Sequence, residues 1–279
     1  MVTFAKKGCS GLNCSNRDYL RNINGVVIQS IRYDPGKAHD LSILSAPKLN
    51  ISAMFKQLLP AQPCVLCGSM SRNGQWCAAC DAALPYLAEP HCPICALPTA
   101  QGEPCGHCLK KPPSYTRTVA VFGYRFPLDE LIQGMKYRQM LALSQIFAEK
   151  LALRIDSSKL PDCIVPMPLH PAKLQQRGFN QAQLIAADLA KSLRIPLLAQ
   201  ACHRLRDTPS QTSLPWRERT SNVHGAFDCD MELQGKHIAL VDDVMTTGAS
   251  MNALAEAAKK RGAGEVSAWV VARTLPHQH

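Results

Sequence analysis

From residue 117 onward the chain alternates short apolar runs with longer stretches of helical periodicity. Residues 128–154 read as largely helical, and residues 181–193 place Ala182, Ile185, Ala186 and Leu189 on one helix face. Three further runs read as buried strands: TVAVFGY (118–124), CIVPMP (163–168) and EVSAWVVAR (265–273). Because strands and helices alternate, the pattern predicts an α/β fold, a mostly parallel sheet with helices on both faces.

The run IALVDDVMTTGAS (238–250) predicts a fourth strand, a tight turn and a helix. Residues 238–241 are all apolar, as expected for a strand buried on both faces. Apolar residues then recur at helical spacing, up to an expected stop at Gly262. The pattern therefore predicts that the strand ends before Asp242 and Asp243, and that both carboxylates are accessible in the turn.

The same turn has the sequence features of an anion-binding site. Backbone N–H groups of residues 246–249 lie at a predicted helix N-terminus, where the helix dipole favours anions, and Gly248 permits close approach. Two carboxylates beside such a site would repel a phosphate unless they bind something else, and vicinal sugar hydroxyls suit them. A phosphorylated ribose would bind to both features, because its hydroxyls suit the carboxylates and its phosphate suits the anion site. The sequence carries neither of the usual glycine-rich nucleotide-binding loops.

Eight cysteines form two copies of one pattern, C-x2-C, nine residues, C-x2-C. Four thiolates complete a tetrahedral zinc site with no open position, so the pattern predicts two structural zinc ions. Short loops favour sequential pairing of the cysteines, while interleaved pairing stays open; His91 and His107 are surplus to either arrangement. The ligands are Cys64, Cys67, Cys77, Cys80, Cys92, Cys95, Cys105 and Cys108.

Composition limits the choice of function. The chain has 279 residues, no run long enough to span a membrane and no signal-peptide core in its first 30 residues, so we expect a cytoplasmic protein. Thirteen cysteines then indicate reduced thiols and metal binding instead of disulfides. The net charge of +10 falls to roughly +6 once two four-thiolate zinc sites are counted, which makes global basicity a weak argument for a polyanion partner.

The chain divides into three predicted parts. Residues 1–53 show little periodicity, and either form an unstructured tail or precede a true start at Met54. Residues 54–110 contain the cysteine module, a basic Pro-containing linker follows, and residues 117–279 form the α/β domain.

The motifs together resemble a known family. IALVDDVMTTGAS looks like the ribose-phosphate motif of type I phosphoribosyltransferases, which bind phosphoribosyl pyrophosphate (PRPP). VPMPLHPAKLQQRGFNQA (165–182), RLRDTPSQTSLPWRERTSNVHGAF (204–227) and the double zinc ribbon ahead of them resemble the ComF/GntX family in order and spacing. The resemblance covers roughly residues 64–274.

The resemblance assigns roles to individual residues. It implies that Asp242 and Asp243 hold the ribose hydroxyls of PRPP, with Mg²⁺ bound alongside. The 5′-phosphate would be held by Thr246, Thr247, Gly248 and Ser250. Candidate contacts for the pyrophosphate, or for a mobile lid over it, are Lys173, Arg177, Arg204 and Arg206. The lid segment, residues 204–222, also holds Gln211, Arg217 and Arg219.

Three functions follow from the resemblance. The first is a PRPP-binding protein acting in DNA uptake (competence) or in use of external DNA, with phosphoribosyltransferase activity left open. The second is a non-catalytic single-stranded nucleic-acid-binding module with PRPP as a regulatory ligand, and the third is a purine or pyrimidine salvage phosphoribosyltransferase. Competence and DNA-processing proteins are implied partners.

A basic surface for single-stranded DNA is also predicted, formed by Lys110, Lys111, Arg117, Lys136 and Arg138. Trp76, Tyr115 and Tyr137 are candidates for stacking on unpaired bases, and the alternative is that these aromatic side chains pack locally.

Overall fold

The structure, a computed structural model, describes residues 61–72, 75–206 and 225–276, together with the backbone of two short strands near the N-terminus. Residues 1–52 and 53–279 form separate compact units. In the first unit, β1 (Asn22–Ile23) pairs antiparallel with β2 (Val26–Val27).

The cysteine module consists of two small ribbons of the same design. In the first, β3 (Gln62–Pro63) pairs antiparallel with β4 (Met70–Ser71) and precedes the short helix α1 (Ala78–Ala82). The second contains helix α2 (Gly106–Lys110), which begins one residue after Cys105, just as α1 begins one residue after Cys77. The repeat in the sequence is therefore a repeat in the structure.

The α/β part follows the predicted alternation. Residues 128–154, predicted as largely helical, form two helices separated by a short connection. The helix predicted over residues 181–193 is confirmed residue for residue. In chain order the elements are β5 (Arg117–Gly123), α3 (Leu128–Tyr137), α4 (Leu143–Ala152), β6 (Cys163–Pro166), α5 (Pro171–Arg177), α6 (Gln181–Leu193), β7 (Cys202–Arg204), β8 (Phe227–Cys229), β9 (His237–Met245), α7 (Ala249–Lys260) and β10 (Glu265–Arg273).

The four long strands form one parallel sheet in the order β5-β10-β9-β6. Its two faces pack different elements. Side chains of α3, α4 and α6 cover one face together with the first ribbon, and α7 and the second ribbon cover the other. This confirms the predicted parallel sheet with helices on both faces, and it brings one ribbon to each face.

The segment between the ribbons runs along the outer edge of β5. The N–H of Leu87 donates to the carbonyl of Val121 (2.8 Å), and the N–H of Gly123 donates to the carbonyl of Pro85 (2.8 Å). An exposed strand edge invites unwanted pairing with other chains, and this segment covers it. The ribbons are therefore packed against the sheet and contribute to its core.

A separate hairpin, β7 with β8, carries a disulfide that the sequence analysis did not expect. Cys202 and Cys229 face each other in the ladder and are bonded, with an S–S distance of 2.14 Å. The prediction of reduced thiols is wrong for this pair, because antiparallel pairing brings together two cysteines that are 27 residues apart.

Within the described ranges, no helix is long and apolar enough to cross a membrane.

Candidate functional site

The strand that leads to the candidate site is longer than predicted. β9 continues through both carboxylates to Met245 instead of ending at Val241. Successive side chains of a strand point to opposite faces of the sheet, so Asp242 and Asp243 cannot share one environment. The prediction that both are accessible is wrong for Asp243, which is 4% exposed, whereas Asp242 is half-buried.

Asp243 is held by a lysine from the neighbouring helix. Its Oδ2 lies 2.6 Å from Nζ of Lys136 on α3, and its Oδ1 accepts from the N–H of Val244 (2.8 Å). Burial alone would raise the pKa of Asp243, but the Lys136 ammonium outweighs it and lowers the pKa. Burial would likewise lower the pKa of Lys136, and Asp243 raises it instead. The two groups therefore form an ion pair on the α3 face of the sheet.

Asp242 is in the opposite electrostatic state. Burial, and next the negative charge of Asp243, raise the pKa of Asp242 well above its usual range. Its Oδ1 accepts from the N–H of Asp243 (2.8 Å). A half-buried carboxyl with a raised pKa at the end of a strand is typical of a binding or catalytic site. Ligand groups that donate hydrogen bonds, or a cation, would favour its charged form.

The turn after β9 has the geometry of an anion site. Gly248 adopts a left-handed conformation (φ +83°) at the N-cap of α7, and this residue has no side chain that could cap the helix. The N–H of Ala249 donates to Oγ1 of Thr247 (3.2 Å), and Ser250 lies in the first helical turn. The first N–H groups of a helix have no acceptor within it, and the dipole favours an anion there.

Gly248 is required for a second reason. A Cβ at this position would lie 2.9 Å from Oη of Tyr115, which is buried against the turn. The backbone conformation also disfavours any side chain. The aromatic ring therefore fixes the turn from the side of the second ribbon.

The loop after β6 lies beside the end of β9. The N–H of Met167 donates to the carbonyl of Val241 (2.8 Å), and Nδ2 of Asn180 donates to the carbonyl of Met167 (3.0 Å). The short helix α5, which contains Lys173 and Arg177, follows this loop. Both predicted cations thus lie on the element that follows the strand next to β9.

Arg177 has defined partners. Its Nη1 donates to Oε1 of Gln181 (2.6 Å), and its guanidinium lies over the ring of Tyr137 at 5.2 Å from the centroid. Tyr137 directly follows Lys136, the partner of Asp243. The C-terminal end of α3 therefore contacts Arg177 through Tyr137 and Asp243 through Lys136.

Arg204 and Arg206 lie at the β7–β8 hairpin. The guanidinium of Arg204 stacks over the ring of Phe227 (5.4 Å). The remainder of the predicted lid, with Gln211, Arg217 and Arg219, lies outside the described residues. The lid function of this segment therefore stays a prediction.

The eight predicted zinc ligands form two clusters with sequential pairing. Cys64, Cys67, Cys77 and Cys80 bring their Sγ atoms within 4.8 Å of one another, and so do Cys92, Cys95, Cys105 and Cys108. Four sulfurs at that separation fit a tetrahedral site with Zn–S bonds of about 2.3 Å. The alternative of interleaved pairing is excluded by this arrangement.

Backbone donors prepare one thiolate in each cluster. The N–H of Cys77 donates to Sγ of Cys64 (3.3 Å), and the N–H of Cys105 donates to Sγ of Cys92 (3.3 Å). Burial would raise the pKa of Cys64, but backbone donors led by Cys77 lower it to about 6. The pKa of Cys92 falls to about 7 for the same reasons, with Cys105 as the leading donor. Thiolates are the zinc-binding form, so both clusters are suited to structural zinc.

A cavity of about 710 Å³ lies between the second ribbon and the turn after β9. Its walls include Cys95, Tyr115, Gly248, Asn252 and Arg273. Arg273 is a buried residue of this cavity wall that was not among the residues predicted from the sequence. The available signal was an arginine at the end of the otherwise apolar run EVSAWVVAR.

Only some of the residues predicted to form the DNA-binding surface are exposed in the structure. Lys110 and Lys111 are exposed, but Lys136 is committed to Asp243, and Arg117 donates to Ser267 and to the carbonyl of Lys159. Arg138 is exposed and lies 3.5 Å from Glu130. Of the three stacking candidates, Trp76 and Tyr115 are buried and pack locally, whereas Tyr137 is 70% exposed.

The chain is similar to one family model, to curated proteins and to solved structures. Residues 54–109 match the family model described as a double zinc ribbon domain. The chain is 35% identical over 221 residues to the DNA utilization protein YhgH of Escherichia coli, covering 76% of this chain and 97% of that protein. It is 32% identical over 219 residues to competence protein F of Haemophilus influenzae, covering 75% and 90%. A purine phosphoribosyltransferase structure from Pyrococcus horikoshii aligns at 20% identity over 48% of this chain and 89% of that one, with a TM-score of 0.31.

Proposed function

Because the chain belongs to the ComF/GntX family of DNA utilization and competence proteins, we propose that it binds PRPP between β9 and α7 and acts in the uptake or use of external DNA. The observation that carries this proposal is the pairing of two features at one point. Asp242, a half-buried carboxyl with a raised pKa, is followed within six residues by the N-terminus of α7, where the N-cap residue is Gly248. A ribose bearing a phosphate fits both.

The proposal assigns a role to each polar residue at the end of β9 and in the turn after it. Asp242 accepts hydrogen bonds from the ribose hydroxyls, and the N–H groups and hydroxyls of Thr246, Thr247, Gly248 and Ser250 hold the 5′-phosphate. Asp243 acts differently, because its carboxylate is paired with Lys136. We assign it to orienting the strand end through its ion pair with Lys136.

The pyrophosphate end of PRPP would lie toward the loop after β6. Lys173 and Arg177 on α5 supply positive charge there, and the Tyr137 ring holds the Arg177 guanidinium in place. Mg²⁺ keeps several waters and is bound mainly by substrate phosphates with one or two carboxylates. Asp242 is the carboxyl that fits this role among the described residues of the turn. Such a metal would neutralise charge on the pyrophosphate.

The cavity beside the turn favours transfer of the phosphoribosyl group as a second candidate function. It adjoins Gly248 and is large enough for an acceptor molecule next to bound PRPP. Positioning and electrostatic stabilisation of the departing pyrophosphate would then supply most of the rate. Release of pyrophosphate in the presence of an acceptor would establish this activity, and binding without release would favour the regulatory role.

Contact with DNA is assigned to the second ribbon and the linker after it. Lys110 and Lys111 are exposed at the end of α2, beside the cavity wall. Binding through phosphate contacts weakens steeply with salt, so single-strand affinity should fall between about 50 and 200 mM salt. The variant Lys110→Ala with Lys111→Ala should lose affinity, whereas Asp242→Asn should retain it.

The proposal is tested by calorimetric titration of the full chain with PRPP, ribose 5-phosphate and pyrophosphate, each with Mg²⁺. Because PRPP engages both the turn and the α5 loop, it should bind at least tenfold more tightly than either fragment. Binding of pyrophosphate as tight as that of PRPP would mean that the ribose-phosphate turn contributes nothing, and the proposal would fail.

A further inference from the structure

Arg273, at the end of β10, joins three separate parts of the molecule through one buried guanidinium. It is 2% exposed. Its Nε donates to the carbonyl of Cys95 in the second ribbon (2.7 Å). Its Nη1 donates to the carbonyls of Met245 (3.0 Å) and Thr246 in the turn after β9, and to that of Thr274 (2.9 Å).

The positive charge of Arg273 is buried without a carboxylate partner among the described residues. Burying a lone guanidinium is costly. The guanidinium lies directly beside the second cysteine cluster, because its Nε donates to the carbonyl of the ligand Cys95. A cluster of four thiolates loaded with zinc carries a net charge of about −2. The thiolates of a zinc-loaded cluster would therefore partly offset the positive charge of the buried guanidinium.

Other contacts hold the same ribbon against the sheet. The N–H of Thr118 on β5 donates to the carbonyl of Pro93 (3.0 Å), and its Oγ1 donates to the carbonyl of Ile94 (2.5 Å). Pro93 and Ile94 form the knuckle between Cys92 and Cys95. A change in that knuckle would therefore reach Arg273 directly, through the Cys95 carbonyl.

The first ribbon has no such link to the turn among the described residues. It is held on the opposite face, where Nζ of Lys150 on α4 lies 2.7 Å from Oδ1 of Asp81, and Trp76 packs against Phe147 with ring centroids 6.0 Å apart. The two clusters are equal in design and different in what they contact. This difference provides an internal control.

We propose that Arg273 is a positioning residue that couples the second zinc cluster, and not the first, to the conformation of the turn after β9. With the second cluster intact, the Cys95 carbonyl and the guanidinium hold the carbonyls of Met245 and Thr246 inward, which leaves the N–H groups of the next residues directed at a ligand. Loss of the second cluster releases the turn. The effect on PRPP affinity rests on the proposed function, whereas the effect on the turn itself does not.

The test compares two matched variants, Cys77→Ser and Cys105→Ser. Both cysteines are half-buried and precede the helix of their ribbon, and each variant removes one zinc ligand. Elemental analysis establishes that each variant retains about one zinc per chain. Hydrogen exchange of peptides covering residues 244–252 is then measured by mass spectrometry on the full chain, and PRPP affinity is measured by calorimetry.

Cys105→Ser should speed exchange in the turn at least tenfold and weaken PRPP binding at least tenfold, while Cys77→Ser changes both less than twofold. Equal effects of the two variants, or none on the turn, would overturn the coupling. If wild-type protein fails to bind PRPP, the proposed function fails, and the exchange measurement still decides the coupling.

Arg273→Lys tests the bridging residue itself, because lysine keeps the charge and loses the planar donor geometry. If Arg273 transmits the effect, Cys105→Ser should add little to the exchange rate in the Arg273→Lys background. Additive effects would mean that the cluster acts through another route. Should Cys105→Ser fail to fold, stepwise removal of zinc from wild-type protein with an organomercurial, read by the same exchange peptides, makes the comparison.

Discussion

Lys136 Nζ lies 2.6 Å from Asp243 Oδ2, although the two residues are more than one hundred positions apart. Asp243 belongs to a sequence motif that predicts an accessible sugar-binding carboxylate, and the structure instead pairs it with a lysine on α3. The adjacent Asp242 points to the other face and has a raised pKa. The two carboxylates therefore perform different tasks, one holding the structure and one available for ligand.

The ion pair predicts that Asp243→Asn destabilises the protein. The substitution removes the partner of a mostly buried ammonium, and breaking a buried pair costs about 3 kcal/mol. Urea unfolding of the wild type and the variant measures the loss. The double variant Lys136→Met with Asp243→Leu should recover most of it, because no unpaired charge remains. Unchanged stability in Asp243→Asn would show that the pair contributes nothing.

Asp242→Asn should have the opposite effect in the absence of ligand. The pKa of Asp242 is raised in the folded protein. This carboxyl therefore stabilises the folded state at pH values below its unfolded pKa of about 3.9. The stabilisation is lost as the pH rises through the pKa that Asp242 has in the folded protein. The variant should therefore gain stability relative to the wild type as pH rises from about 4 to neutrality. Urea unfolding at several pH values measures the difference in free energy of unfolding between the variant and the wild type. A stability advantage of the variant that becomes smaller as the pH rises would contradict the prediction.

Asp243 contributes with the reverse sign. Its folded pKa is lowered, so its stabilisation is present above the unfolded pKa and disappears as pH falls through the folded value. The wild-type protein should thus lose stability on acidification partly through this group. In Asp243→Asn that part of the acid sensitivity should be absent.

Gly248→Ala should damage the turn more than a matched glycine substitution elsewhere. Gly178 has nearly the same backbone conformation (φ +82°), but a Cβ there meets no atom within 4 Å. Gly178→Ala should therefore lose only the conformational term of about 1–2 kcal/mol, while Gly248→Ala also displaces Tyr115. Thermal unfolding compares the two variants. Equal losses would mean that the contact with Tyr115 is unimportant.

Zinc should be present at about two ions per chain, and removing it should lower the melting temperature of the whole second unit. Cys64 and Trp76 lie in the same apolar cluster as α3 and α4, so unfolding of the ribbons exposes part of the sheet core. Calorimetric scans before and after dialysis against a chelator measure the change. Protein that contains one zinc or none, prepared without chelator, would contradict the two-cluster assignment.

Local patterns were sufficient to predict much of the molecule. The α6 helix follows from apolar spacing alone, and the zinc ligands follow from two identical runs of cysteine spacing. The turn at Gly248 follows from a strand run into a glycine and a helical repeat. In each case the physical cause lies within a short stretch of sequence.

The remaining features depend on contacts between distant segments. Asp243 finds Lys136 because α3 packs on one face of β9, and Arg273 reaches Cys95 because the second ribbon packs on the other. Cys202 meets Cys229 only after β7 and β8 pair. The length of β9 also differs from the prediction, since a polar residue can continue a strand when a partner from elsewhere satisfies it.

The most direct test of PRPP binding at the β9–α7 turn is one calorimetric comparison with Mg²⁺ and PRPP at neutral pH. Asp242→Asn replaces a charged acceptor by a neutral one of the same shape, and each charge-assisted hydrogen bond contributes about 1.5–3 kcal/mol. The variant should bind PRPP roughly 10- to 100-fold more weakly than the wild type. Glu232→Gln changes an exposed carboxylate that precedes β9, whereas the turn follows the other end of this strand, and this variant should bind as the wild type does. Equal affinities of Asp242→Asn and the wild type, with both folded, would contradict the assignment of this turn as the PRPP site.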